Sequence, residues 1–109
     1  MHVVLCNCSE SESEALAEDL VSSGLAACVN LVNGVTSIYF WEDSLHRDKE
    51  TTLIIKVASE TLDAMCTRIR EKHSYDTVEI LVLDVNLDAS DPDYVDWVRR
   101  ACVDKGGKP

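Results

Sequence analysis

Leu25-Ala-Ala-Cys-Val-Asn-Leu-Val-Asn-Gly-Val-Thr-Ser-Ile-Tyr-Phe-Trp41 is the stretch that decides the fold. Its wealth of Val, Ile, Thr and aromatic side chains predicts a β-strand. Fully extended at about 3.3 Å per residue it would reach on the order of 55 Å, against a diameter of roughly 33 Å for a compact domain of this size. Such a strand must overhang or bend, and Gly34, following Asn33, is the predicted bulge or kink. After a polar patch, Glu42 to Glu50, a second β-rich run covers Thr51 to Ala58, with Leu53, Ile55 and Val57 alternating against Thr52, Ile54 and Lys56. The two runs make a long hairpin. Its outer half carries Ile38, Tyr39, Phe40 and Trp41 in succession, apolar on both faces. A chain of 109 residues has little with which to cover them. Pairing of sheet edges between copies is the expectation, with folding back onto the chain's own core as the alternative.

Outward from the hairpin the pattern is regular. Residues 3–8 read as a short strand. Ser9 with Glu12, or Ser11 with Glu14, offers a capping box for a helix bearing Leu16, Leu20 and Val21, which Gly24 would end in a left-handed conformation. Ser59 is placed to cap a second helix with Leu62, Met65, Cys66 and Ile69 on one face. Val78 to Leu87 reads as a strand apolar on both sides, expected to be central or covered. Ser90 or Asp91 before Pro92 opens a last helix lined by Tyr94, Trp97, Val98 and Cys102. The order βαββαβ plus a helix predicts an α+β, ferredoxin-like sandwich with an extended β2–β3 hairpin and an added C-terminal helix. Residues 1–104 form the single domain and 105–109 a flexible tail.

Twenty acidic and ten basic residues leave a formal charge of −10. A surface of that sign repels phosphate backbones and anionic lipids, so neither nucleic acid nor membrane is an expected partner. No basic leader or bilayer-length apolar run is present, and five cysteines in no disulfide-scaffold rhythm fit a reducing compartment; a cytoplasmic location is expected.

Motifs for enzymatic chemistry are missing. There is no phosphate-binding P-loop, dinucleotide fingerprint, nucleophile elbow or zincin pair, and Asp84-Val-Asn-Leu-Asp88 lacks the glycine and final glutamate of a calcium loop. No catalytic residue is assigned. Cys6 and Cys8, two apart on a strand, project to one face. His73 follows the second helix and Glu79 opens the next strand, so with a first-strand thiol they offer sulfur, imidazole and carboxylate, a set suited to copper or zinc. The structural alternatives are a core thiol, a histidine at a helix C-terminus and an ordinary ion pair. Lys56 lies on the less apolar face of its strand, where it could meet Glu79, and His2 and His46 have no obvious partners. Tyr39, Trp41 and Tyr75 suit a pocket or an interface.

The strings Gly24-Leu-Ala-Ala-Cys-Val-Asn30, Gly34-Val-Thr-Ser-Ile-Tyr-Phe-Trp-Glu42, Leu53-Ile-Ile-Lys56, His73-Ser-Tyr-Asp-Thr-Val-Glu-Ile80 and Tyr94-Val-Asp-Trp97, in this order and spacing, closely resemble the CutA family of divalent-cation-tolerance proteins. The resemblance implies a homotrimer of ferredoxin-like subunits joined through their hairpins. It also implies a copper or other divalent-cation site at Cys6, His73 and Glu79, in a crevice that includes Lys56 and Tyr75, with Trp41 near the subunit boundary. No metal is expected to be required for folding. Where the family usually shows His-Pro-Tyr-Glu-Val-Pro-Glu, this chain has His-Ser-Tyr-Asp-Thr-Val-Glu, which lacks both prolines and is less stiff. The expected function is a non-catalytic metal-binding trimer contributing to cation tolerance. The alternative is a PII-like trimer that senses a small molecule or docks an unidentified protein.

Overall fold

The computed structural model describes residues 1–106, the last four of them by backbone alone. The chain is a mixed α+β, ferredoxin-like fold: β1 (His2–Cys8), α1 (Glu10–Ser22), β2 (Cys28–Trp41), β3 (Ser44–Val57), a 3-10 turn (Ser59–Thr61), α2 (Leu62–Lys72), β4 (Leu81–Asp84) and α3 (Pro92–Gly106). The four strands form one antiparallel sheet in the order β2-β3-β1-β4. Thus α3 takes in the first two residues of the tail expected from 105, and 107–109 lie outside the described residues.

The hairpin is longer than its sequence suggests. Trp41 pairs with Ser44, so only Glu42 and Asp43 turn, both in the left-handed region at φ 48° and 64°. Two successive positive φ values give the twist that a two-residue hairpin connection needs. The polar patch expected as a connection is therefore the outer half of β3: it projects into water, where neither face must be apolar. Gly34, at φ 72°, sits in the register shift between Val32 and Val35 and is the predicted bulge. The long axis of the molecule reaches 46 Å.

Alternation along the inner half of β3 builds the core. Leu53, Ile55 and Val57 are fully buried with Val4, Cys6 and Cys8 of β1, under Leu16 and Leu20 of α1 and Met65 and Ile69 of α2. Each such aliphatic side chain contributes about 1.5–3 kcal/mol. At the end of α1 the Leu25 N–H bonds the Leu20 carbonyl and the Gly24 N–H that of Val21, a Schellman closure allowed by Gly24 at φ 78°. The capping box does not form: Ser9 occupies the N-cap without a side-chain bond, and the Glu12 carboxylate instead accepts from Ser74 at 3.0 Å. Asp91 does cap α3, accepting the Tyr94 N–H at 3.1 Å. Arg68 forks onto Asp19 at 2.7 and 2.8 Å, tying α2 to α1.

Two expectations need correction. β4 is not central and runs only from Leu81 to Asp84, on an edge, with Leu81, Val82 and Leu83 exposed. Leu81 and Leu83 register with Leu5 and Val3 on the sheet face away from α1 and α2, and no described element of the chain covers them. The apolar side of α3 is also divided: Val98 and Cys102 enter the core, while Tyr94 and Trp97 stack at 5.7 Å in the open.

Leu53→Ala should destabilise the fold by about 2–5 kcal/mol in urea denaturation at fixed protein concentration. The Arg68 guanidinium holds the Asp19 carboxyl below its usual range, mainly through the hydrogen bond. That stabilisation is complete above the unfolded carboxyl range, near pH 4, and disappears as pH falls through the lowered native value. The stability gap between wild type and Asp19→Asn should therefore be widest near neutrality and shrink on acidification.

Candidate functional site

The C-terminal end of β1, the middle of β3 and the segment following α2 meet at one corner of the molecule. α2 ends at Lys72 because His73 turns to an extended conformation, φ −82° and ψ 141°, while its N–H still reaches the Ile69 carbonyl. The His73 side chain is wholly buried. Its Nε2 donates to the Asn7 carbonyl at 2.8 Å, and its Nδ1 accepts the Tyr75 N–H at 3.1 Å. These partners place the proton on Nε2, since a carbonyl can only accept and an N–H can only donate, and the Glu12 carboxylate stands 3.8 Å from Nδ1. The Cys6 thiol lies 3.9 Å from the same Asn7 carbonyl oxygen, so Cys6 and His73 do come together there.

Beside them lies a crevice of about 480 Å³ lined by Tyr39, Asp48, Glu50, Tyr75, Thr77 and Glu79. Glu50 is buried and its carboxylate accepts from the Tyr75 hydroxyl at 2.9 Å. Burial, and then the Glu50 bond, push the Tyr75 phenol up. Tyr39 donates to the Asp48 carboxylate, which raises its phenol, and its ring stacks on His46. Glu79 is exposed on the crevice wall.

Cys6 is fully buried, and its thiol is pushed up to about 12, first by burial and then by Cys8 and Glu79. Cys8 rises to about 11, again chiefly through burial. A metal needs a thiolate and a free imidazole nitrogen. Here the thiol is protonated and enclosed, and both ring nitrogens are engaged. Among the described residues no three His, Cys, Asp or Glu side chains gather as a metal-holding group, so Cys6, His73 and Glu79 do not fit a copper ion in this arrangement.

Lys56 also departs from expectation. It pairs in register with Val3, near the opposite end of β1, and its Nζ donates to Asn30 across the hairpin, so it does not meet Glu79. Trp41 stands exposed at the hairpin tip, away from the crevice lining. Glu50 and Asp48 were missed: both sit in the polar patch, and only the register of β3 carries them under Tyr75 and Tyr39. The two unassigned histidines have partners. His2 Nδ1 lies 2.9 Å from Asp84, although not in line for a hydrogen bond, and His46 Nε2 bonds the Trp41 carbonyl at 3.2 Å.

Comparison with known proteins agrees with the fold and the strings quoted above. Residues 2–101 match the family model described as CutA1 divalent ion tolerance protein. This chain belongs to the CutA family. Among its relatives, the divalent-cation tolerance protein CutA of Pectobacterium atrosepticum is 37% identical over 100 residues, covering 91% of this chain and 89% of the relative. The CutA of Yersinia pestis is 39% identical over 102 residues, covering 93% and 84%. The apo structure of the PII-like protein CutA from a Nostoc species superposes with a TM-score of 0.90 at 34% identity, covering 94% of this chain and 97% of that one. The Cut A1 structure from Thermus thermophilus gives 0.85 at 35% identity, covering 93% and 98%.

In this CutA-family chain, Cys6 and Cys8 should resist alkylation while the protein is folded at pH 8 and react once it is denatured. Peptide mass spectrometry after iodoacetamide checks this. Rapid native labelling of Cys6 would contradict its enclosure.

Proposed function

We propose that this chain works as a non-catalytic homotrimer that binds divalent and soft metal ions, copper among them, and contributes to cation tolerance in the cytoplasm. The observation that carries the assembly is uncovered apolar surface. Val3, Leu5, Ile54, Leu81 and Leu83 share the sheet face away from α1 and α2, and Leu81 and Leu83 are about half exposed at 54% and 48%. Ile38, Phe40, Trp41 and Leu45 add exposed apolar groups toward the hairpin tip. Exposed apolar groups on this scale mark an interface, and identical copies offer the complementary strand edges.

Family membership and charge support the cation reading. Asp48, Glu50 and Glu79 line one crevice in a chain of net charge −10. Carboxylates and water suit hard divalent ions, which keep part of their hydration. Because the described residues of one chain gather no three-ligand group, water or a neighbouring subunit fills the remaining positions in this reading. Copper at Cys6, His73 and Glu79 calls for rearrangement around His73.

A second reading, a PII-like sensor of a small molecule, draws on the likeness to the Nostoc protein and on a crevice with two tyrosines in its lining. Heat stabilisation by a metabolite in metal-free protein would favour it.

Native mass spectrometry of metal-free protein titrated with Cu(I), Cu(II) and Zn(II) counts subunits and ions together. A trimer that takes up one ion per subunit is expected, and a bare trimer would move the search to metabolites and protein partners. Placing a charge on the uncovered face or at the tip, in Leu83→Asp or Trp41→Glu, should shift the trimer toward smaller species in the same spectrum. A full trimer in both variants would refute the interface.

A further inference from the structure

The residue that the family resemblance offers as a metal ligand makes every one of its ring contacts with the protein itself. Three successive residues fasten the segment after α2 to three different elements. His73 reaches the Asn7 carbonyl of β1 at 2.8 Å, Ser74 the Glu12 carboxylate of α1 at 3.0 Å, and Tyr75 the Glu50 carboxylate of β3 at 2.9 Å. The His73 ring also takes the Tyr75 N–H on Nδ1 at 3.1 Å and meets the Tyr75 ring edge-on, 4.5 Å between centroids and 60° between planes. One buried imidazole thereby fixes both the backbone and the ring of Tyr75. Tyr75 in turn bonds the buried Glu50 carboxylate, and Tyr75, Thr77 and Glu79 all line the crevice.

We infer that His73 is a positioning residue. With Nε2–H donating and Nδ1 accepting it pins the 73–80 segment shut, sets Tyr75 over Glu50 and so shapes the crevice, and it is not a ligand while the segment is closed. An ion on Nδ1 would displace the Tyr75 N–H, and an ion on Nε2 would displace the Asn7 carbonyl, so coordination by this ring and the closed segment exclude one another. Either displacement would leave a backbone group without its partner, which favours the closed state as the resting one. The inference rests on the proposed crevice only for the site that is being shaped.

The test begins with metal-free protein. In wild type, nitrogen chemical shifts of the imidazole should report a protonated Nε2 and a bare Nδ1; the opposite tautomer would overturn the assignment. In His73→Ala, amide exchange of the 73–80 segment should rise at least tenfold while the β1–β3 ladder stays protected. His73→Gln, whose amide can both donate and accept, should restore much of the protection. Unchanged exchange in His73→Ala would overturn the inference, as would His73→Gln behaving like alanine. Ion counting on His73→Gln then separates the two proposals. Closed segments that still take up Zn(II) are expected, whereas closed segments that lose all Zn(II) uptake would show His73 to be a ligand. Wild type that binds no ion would defeat the cation reading alone, because the exchange and tautomer results do not depend on metal.

Discussion

The inner half of β3 is the constraint on which the rest of this molecule depends. From Thr51 to Val57 it pairs residue for residue with β1 on one side, and Thr52 to Lys56 pair with β2 on the other. Its backbone groups are thus satisfied within the sheet, and Leu53, Ile55 and Val57 can be buried beneath the helices with no polar group left over. Slipping the register by one residue would turn those three toward the opposite face and bring Thr52, Ile54 and Lys56 into the core. The register is therefore strongly set, and everything attached to β3 inherits it. Continuing outward along the same strand, it places Glu50 and Asp48 in the crevice and His46 beside Tyr39.

The corner that holds the candidate site is organised by hydrogen bonds more than by apolar burial. The 73–80 segment has no prolines to stiffen it, yet its first three side chains bond to β1, α1 and β3. Ser74, at a position where the family usually shows proline, provides the bond to Glu12, which leaves that glutamate to serve the loop and not a capping box. Stiffness that a ring would confer on the chain locally is replaced here by contacts between elements distant in sequence. Such contacts form only when the whole corner is assembled, so the geometry of the crevice is tied to the fold in a way that a proline-bearing loop would not require.

The same corner separates two meanings of proximity. Cys6 and His73 both address the Asn7 carbonyl and so are neighbours. Being neighbours does not make them ligands. A thiol in a dry interior beside acidic groups holds its proton, and an imidazole with a donor and an acceptor already in place has no free lone pair. Apolar burial and polar saturation produced the cluster, and both work against the ion that the same residue types would suit in an open cleft.

From the sequence alone came the element order, the overlong hairpin, the bulge at Gly34, the left-handed end of α1 at Gly24 and the helical stripe of α2. All of these rest on short-range rules: period, backbone freedom of glycine, and the reach of an extended chain. The tertiary structure alone decided that β4 is a short exposed edge, that Lys56 turns to Asn30 and not to Glu79, that Glu50 is buried beneath Tyr75, and that both His73 nitrogens are occupied. Those outcomes depend on which groups meet across the sheet and between the loop and β1. Donor and acceptor pairing at a distance leaves no periodic trace in the chain, because a histidine that binds an ion and one that binds a carbonyl are written with the same letter.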